Sequence, residues 1–185
     1  SMQLDDASRG FSFRVSGPLD MRMDPSRAAS LAERLAGVDE VTLADVIWRF
    51  GEERRSRRVA RAIVAARDRG ELDTTLALAS AVRRGVGAGT WQRIDPATRT
   101  FQALRIWVNG ELDGLDQFVD AAVAVLRARG HLAIIAFHSL EDRVVKHALR
   151  RLAAAGTVTL VTRRPMIPGD AEIATLELAR AESHL

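Results

Sequence analysis

The stretch Gly130–Thr162, GHLAIIAFHSLEDRVVKHALRRLAAAGTVTLVT, decides the fold class. Its first part, His131 to Phe137, is a short unbroken apolar run behind a glycine stop. That is the pattern of a strand buried on both faces, as in a parallel sheet. His138-Ser139 then leads into a helix over Leu140–Ala154. Thr157–Thr162, TVTLVT, is β-branched and alternating, and predicts a second strand. Thr175–Ala181, TLELARA, alternates likewise, with Pro165, Pro168 and Gly169 in the link between the two. The order strand–helix–strand–strand places the end of the chain in the α/β class.

Upstream, the pattern is helical. Leu4 to Asp24 reads as a loop punctuated by Gly10, Gly17 and Pro18, with Phe11 and Phe13 as anchors to a core. Asp24-Pro25 predicts a helix start, a cap followed by proline at the first helical position. Ala28, Leu31, Ala32 and Leu35 give that helix its stripe, and Gly37 ends it. A second helix is expected from Thr42, with Leu43, Val46, Ile47 and Phe50 as its apolar positions. Val59, Ala60, Ile63 and Val64 mark a third, and Asp73–Arg83 a fourth. Pro96 opens a fifth, and another follows from Glu111. Gly85–Thr90, GVGAGT, lacks the lysine and spacing of a phosphate-binding P-loop and reads as a connection.

Composition narrows the function classes. The chain has 185 residues, 47% hydrophobic and 28% charged, which is globular composition. No apolar run reaches the about 18–20 residues needed to cross a bilayer, and no basic-then-apolar leader opens the sequence. The absence of Cys excludes a disulfide framework, thiolate metal sites and a Cys nucleophile, and fits a reducing cytoplasm. Every one of the 27 basic residues except Lys146 is Arg, which explains a pI near 10.7 at a net charge of only +3. Arg presents a planar fork of donors to phosphate. The bias suits RNA or another phosphorylated partner, and it equally suits a GC-rich genome. Tyr is absent and aromatics are 5%, so a broad base-stacking surface is not expected.

Four strings carry a resemblance: RGFSFRVSGPLDMRMD (Arg9–Asp24), FGEERRSRRVARAIV (Phe50–Val64), PATRTFQALRIWVNGEL (Pro96–Leu112) and IIAFHSLEDRVVK (Ile134–Lys146). Together, and in this order, they resemble the bacterial small-subunit (16S) rRNA cytosine-N4 methyltransferase family. The resemblance implies a partial Rossmann-like methyltransferase sheet of about three strands carrying a large helical insertion. Residues 1–23 would be the loop after the fourth strand, 24–110 the insertion that helps bind RNA, and 111–185 the rear of the sheet. It implies S-adenosylmethionine as cofactor and rRNA in the small ribosomal subunit as partner. It also implies a chain lacking the front of the fold, where the glycine-rich donor-binding turn sits. Such a chain is expected not to transfer methyl groups alone. Asp95 departs from the family, which usually has His before Pro-Ala-Thr-Arg-Thr-Phe.

The densest chemistry lies in His138-Ser139-Leu140-Glu141-Asp142-Arg143. His138, Ser139, Glu141 and Asp142 would stand at the end of a buried strand, where α/β proteins place active sites. The same residues also suit a polar strand-to-helix turn, with the acids favoured by the helix dipole. Ser139 has no acid–base partner beyond His138, which argues against a Ser hydrolase. His138, Asp142 and His147 could hold a divalent metal such as zinc, although their spacing matches no known metal motif. Arg54, Arg55, Arg57, Arg58 and Arg61, extended by Arg99 and Arg105, are the candidate contacts to rRNA phosphates. Glu53, four residues before Arg57, offers a competing pair within the helix. An unpaired apolar edge at His131–Phe137 predicts a homodimer. Two other functions are consistent with these residues: a metal-dependent hydrolase with its site at the dimer interface, and a non-catalytic RNA-binding remnant.

Overall fold

The computed structural model describes residues 6–26, 28–87, 94–162, 166–167 and 169. It divides into two compact units, Ser1–Gly114 and Leu115–Leu185.

Among the described residues the first unit has a short 3-10 turn at Ala7–Arg9 and five α-helices: α1 (Leu31–Gly37), α2 (Glu40–Gly51), α3 (Ser56–Asp68), α4 (Thr75–Val86) and α5 (Pro96–Asn109). Their starts follow from side-chain caps, which satisfy the backbone N–H groups that a first turn leaves over. Asp39 accepts from the Thr42 N–H, Thr74 from Ala77, and Asp95 from Ala97 ahead of Pro96. The helix read from Asp24-Pro25 begins later than expected. Ser30 and Glu33 form a reciprocal capping box, Ser30 accepting from the Glu33 N–H and Glu33 from the Ser30 N–H. Asp24 instead accepts from the Ser26 N–H, closing a local turn.

α2 packs on α3 and α5, and α4 on α3 and α5. One core joins them, with Leu43, Ile47, Val59, Ile63, Leu78, Val82 and Leu104 buried. The opening loop belongs to this core: Phe11, Leu19 and Met21 are buried in it, and Phe13 meets Phe101 edge-to-face at 5.1 Å. Gly85 allows the closest helix approach, because a Cβ there would sit 2.6 Å from Val59 Cα.

The second unit pairs α6 (Leu115–Ala124) with α7 (Ser139–Ala154). Val119, Val145 and Ala148 form its small core, joined by Leu115, Ile134, Leu149 and Leu152.

The expected α/β class is overturned here. The described residues contain helices and no strand, so the partial Rossmann-like sheet is not present. His131–Phe137 runs without a ladder, and Ile135 and Phe137 are 82% and 89% exposed where both faces were expected to be buried. Thr157–Thr162 likewise pairs with nothing as a strand. The physical reason is that a strand's hydrogen bonds all run to a neighbour, whereas a helix closes its own. With no regular strand at His131–Phe137, the edge-pairing argument for a homodimer loses its premise. Thr175–Ala181 lies outside the described residues. No helix among the described residues is long and apolar enough to cross a membrane.

Candidate functional site

The sequence motifs resolve into three local structures: a clamped loop, an arginine face and a helix cap.

The loop Pro18–Asp24 is held from inside. Arg9 donates to the Arg22 and Met23 carbonyls at 2.8 and 2.9 Å. Arg22 folds back onto Asp20 at 2.6 and 3.1 Å, and these hydrogen bonds hold the Asp20 carboxyl below its ordinary range. Asn109, at the end of α5, grips the loop with both ends of its amide. Its Oδ1 accepts from the Met23 N–H at 2.7 Å, and its Nδ2 donates to the Met21 carbonyl at 2.8 Å. Between them Met21 is fully buried at φ 59°, the left-handed region that non-glycine residues seldom occupy.

The arginine face begins in the turn before α3. Arg54, Arg57, Arg58 and Arg61 fall at spacings of three, four and seven, which is one helix face, and all four are exposed. Opposite them Val59, Ala60, Ile63 and Ala66 are buried. Only Arg61 of the four has a carboxylate partner among the described residues, Glu40 at 3.2 Å. Glu53 does not pair with Arg57. It precedes the helix, is 3% exposed, and accepts from the Arg55 N–H at 2.8 Å. Arg55 is half-buried and donates to the Val86 carbonyl at the end of α4. Arg105 is also spent internally, paired to Glu111 through two hydrogen bonds of 2.8 and 2.9 Å. Arg99 is exposed on α5.

An open groove of about 620 Å³ lies elsewhere in the same unit, lined by Phe13, Arg14, Leu76, Arg83, Ile94, Asp95 and Thr98. Asp95, the residue that departs from the resemblance, both caps α5 and pairs with Arg83 at 2.7 Å. Those hydrogen bonds from Arg83 hold its carboxyl below the ordinary range.

His138 is the N-cap of α7. Its Nδ1 accepts from the Glu141 N–H at 3.3 Å, and Glu141 Oε2 accepts from the Phe137 N–H at 2.8 Å. Two of the four residues singled out for catalysis thus interlock as a capping arrangement. Ser139 opens the helix, and Asp142 sits in its first turn. With Nδ1 accepting, a neutral His138 carries its proton on Nε2, which lies 3.4 Å from Glu141 Oε1. The proposed metal trio does not converge: ligand atoms of His138, Asp142 and His147 do not all come within 4.8 Å of one another.

Trp48 escaped the sequence reading. It is 53% exposed near the end of α2. The available signal was its position off the Leu43–Val46–Ile47–Phe50 stripe.

The chain is similar to known proteins over nearly its whole length. It is 55% identical over 173 residues to the ribosomal RNA small subunit methyltransferase H of Sorangium cellulosum, covering 94% of this chain and 54% of that protein. It is 51% identical to that of Rhodopseudomonas palustris, covering 98% and 58%, and 52% identical to that of Synechococcus elongatus, covering 94% and 57%. The chain therefore spans somewhat more than half the length of these curated relatives. The model of the MraW methylase family matches residues 1–183, and the chain belongs to that family.

Proposed function

We propose that this chain is the RNA-engaging part of an S-adenosylmethionine-dependent methyltransferase that modifies the exocyclic N4 of a cytosine in small-subunit rRNA. The observation that carries the reading is the face of Arg54, Arg57 and Arg58, exposed and without carboxylate partners among the described residues. Arginines in the turn and first turns of a helix, with no acid among the described residues to satisfy them, suit a run of phosphates. Arg61 joins them by exchanging a single exposed pair, which holds it weakly. Arg55 and Arg105, committed to Val86 and Glu111, serve the fold instead.

The residues described do not fit the methyl donor. A donor cradle of this class places a glycine-rich turn at a helix N-terminus, where free N–H groups face the ligand. Here the glycines Gly85 and Gly87 sit at the C-terminal end of α4, which presents carbonyls. The starts of α1, α2, α4, α5 and α7 are occupied by their own caps. On this reading the chain alone binds S-adenosylmethionine weakly.

The test is binding to a fragment of small-subunit rRNA across a salt series. Single-stranded RNA gives a slope of about −0.7 per neutralised phosphate, so the triple variant R54Q/R57Q/R58Q is expected to flatten it by about two. No affinity at low ionic strength, or an unchanged slope in the variant, overturns the proposal. Micromolar binding of S-adenosylmethionine by calorimetry overturns the second part.

A further inference from the structure

We infer that the outward face of α7 is a second RNA contact, on which Lys146 and Arg150, with Arg143 and His147 beside them, take phosphates of the RNA backbone. The inference rests on the reading of this chain as RNA-engaging and adds to it a surface in the second unit.

The face follows from the helix itself. Val145, Ala148 and Leu152 turn the same way, into the small core that α7 shares with α6. Arg143, Lys146, His147 and Arg150 fall at spacings of three, four and seven, within an arc of about 100° on the side away from that core. Arg143, His147 and Arg150 are exposed, and Lys146 is half-exposed. Arg151, next round the helix, is spent on Asp120 of α6 at 2.7 Å. The acids of the first turn lie off the face. Glu141 stands toward the core side and accepts from the Phe137 N–H, and Asp142, four residues before Lys146, stands at the rim of the arc.

Within the face the neighbours along the helix are of like sign. Arg143 stands three residues before Lys146, and Lys146 four before Arg150, and like charges at those spacings destabilise a helix. Surface charge elsewhere in the chain pairs opposite signs, as Asp45 with Arg49 on α2 and Asp120 with Arg151 between α6 and α7. Cations gathered on the side furthest from the core suit a polyanion that relieves their repulsion. From Arg143 to Arg150 the face runs about 10 Å, a length over which a nucleic-acid strand presents about three phosphates. The helix sets no apolar anchor beside its cations: Leu140 and Val145 are buried, and Val144, Leu149 and Leu152 are half-buried. A helix lying on a membrane needs large apolar residues turned to the lipid, so α7 fits RNA phosphates and not a lipid surface.

The test uses the full chain and a fragment of small-subunit rRNA across a salt series. Single-stranded RNA gives a slope of about −0.7 per neutralised phosphate, so K146Q/R150Q is expected to flatten it by about 1.4. R127Q/R129Q removes two exposed charges of the same unit that lie off the helix, and is expected to leave the slope unchanged. Gln forms helix about as well as Lys and Arg, and far-UV circular dichroism checks that α7 persists. A second measurement needs no variant. Lys146 is the single lysine of the chain, so its acylation by an amine-reactive reagent, read peptide by peptide by mass spectrometry, reports on this face alone. Bound RNA is expected to slow that acylation severalfold at low ionic strength. An unchanged slope in K146Q/R150Q, an equal loss in R127Q/R129Q, or no protection of Lys146 overturns the inference. Phosphatidylglycerol vesicles that protect Lys146 where RNA does not would make lipid the occupant and overturn it as well. If R54Q/R57Q/R58Q flattens the slope and K146Q/R150Q does not, only this inference fails. If K146Q/R150Q flattens it and R54Q/R57Q/R58Q does not, the α7 face stands and the α3 face fails. No RNA affinity at low ionic strength removes both.

Discussion

Replacing Asn109 by Ala is expected to free the Pro18–Asp24 loop at a cost of about 2 kcal/mol. The amide makes two bonds across the fold, from the Met23 N–H at 2.7 Å and to the Met21 carbonyl at 2.8 Å, and a third to the Arg105 carbonyl within its own helix. A net hydrogen bond is worth about 1 kcal/mol, and a buried acceptor left without a donor costs about 1–3. Met21 is fully buried, so its carbonyl falls in the second class, whereas the exposed Met23 N–H can turn to water. Alanine returns about 0.5 kcal/mol through its better helix propensity. N109D separates donor chemistry from shape. It keeps the acceptor for Met23 but turns an oxygen toward the Met21 and Arg105 carbonyls, and it adds negative charge at a helix C-terminus. The aspartate is therefore expected to be at least as damaging as alanine. Urea unfolding followed by tryptophan fluorescence reads the stability, and hydrogen exchange reads the Met23 amide directly. An unchanged midpoint with unchanged exchange at Met23 in N109A would refute the clamp.

At Met21 the usual ranking should invert: because its φ is 59°, M21G is expected to be no less stable than M21A, although Gly normally costs about 1 kcal/mol against Ala; denaturation midpoints compare the two. G85A should destabilise by several kcal/mol, since its Cβ would meet Val59 Cα at 2.6 Å and the Arg58 carbonyl at 2.9 Å, while G37A meets nothing within 4 Å and should be neutral or mildly stabilising; thermal melts decide. H138A should cost about 1 kcal/mol of α7 stability and H138N should restore it, because Asn caps as well; equal loss in both, read by exchange in α7, would remove the capping role. The Asp20 carboxyl, held below its ordinary 3.8 by Arg22, contributes stability that is complete above about pH 5 and is lost as pH falls through its folded value, so D20N should flatten the acid limb of a stability-against-pH curve.

The helical unit was legible because its instructions are local. The stripes at Leu43–Ile47 and Val59–Ile63 are the buried faces, while the helices expected from Thr42 and Asp73 start at Glu40 and Thr75, where Asp39 and Thr74 cap them. The start of α1 was misread because Asp24-Pro25 and Ser30-x-x-Glu33 are both start signals, and the capping box satisfies two N–H groups where the other closes only a turn. The spread of the arginines over one face was legible as spacing. Which of them are spent was not, since the partners of Arg55 and Arg105 are a carbonyl 31 residues away and an acid beyond the end of the helix. The count of aromatics hid Trp48, because a small total says nothing about where one indole stands.

The misread strands have a different cause. HLAIIAF and TVTLVT state a side-chain preference for a flat, packed surface, but that preference contains no hydrogen-bond partner. A helix of α7's length closes its backbone bonds within the segment, needing only His138 and Glu141 to finish its first turn. An extended segment leaves all its donors and acceptors to whatever lies alongside. Ile134 packs onto α7 through its side chain while its neighbour Ile135 faces outward, so apolar contact is available to this segment without a ladder. Apolar patterning therefore forecasts that a helix forms, and a strand only conditionally. The same asymmetry explains why His138 read as a catalytic candidate: the strand end that would have made it one is a property of a sheet, and what the described residues supply at that position is the start of a helix.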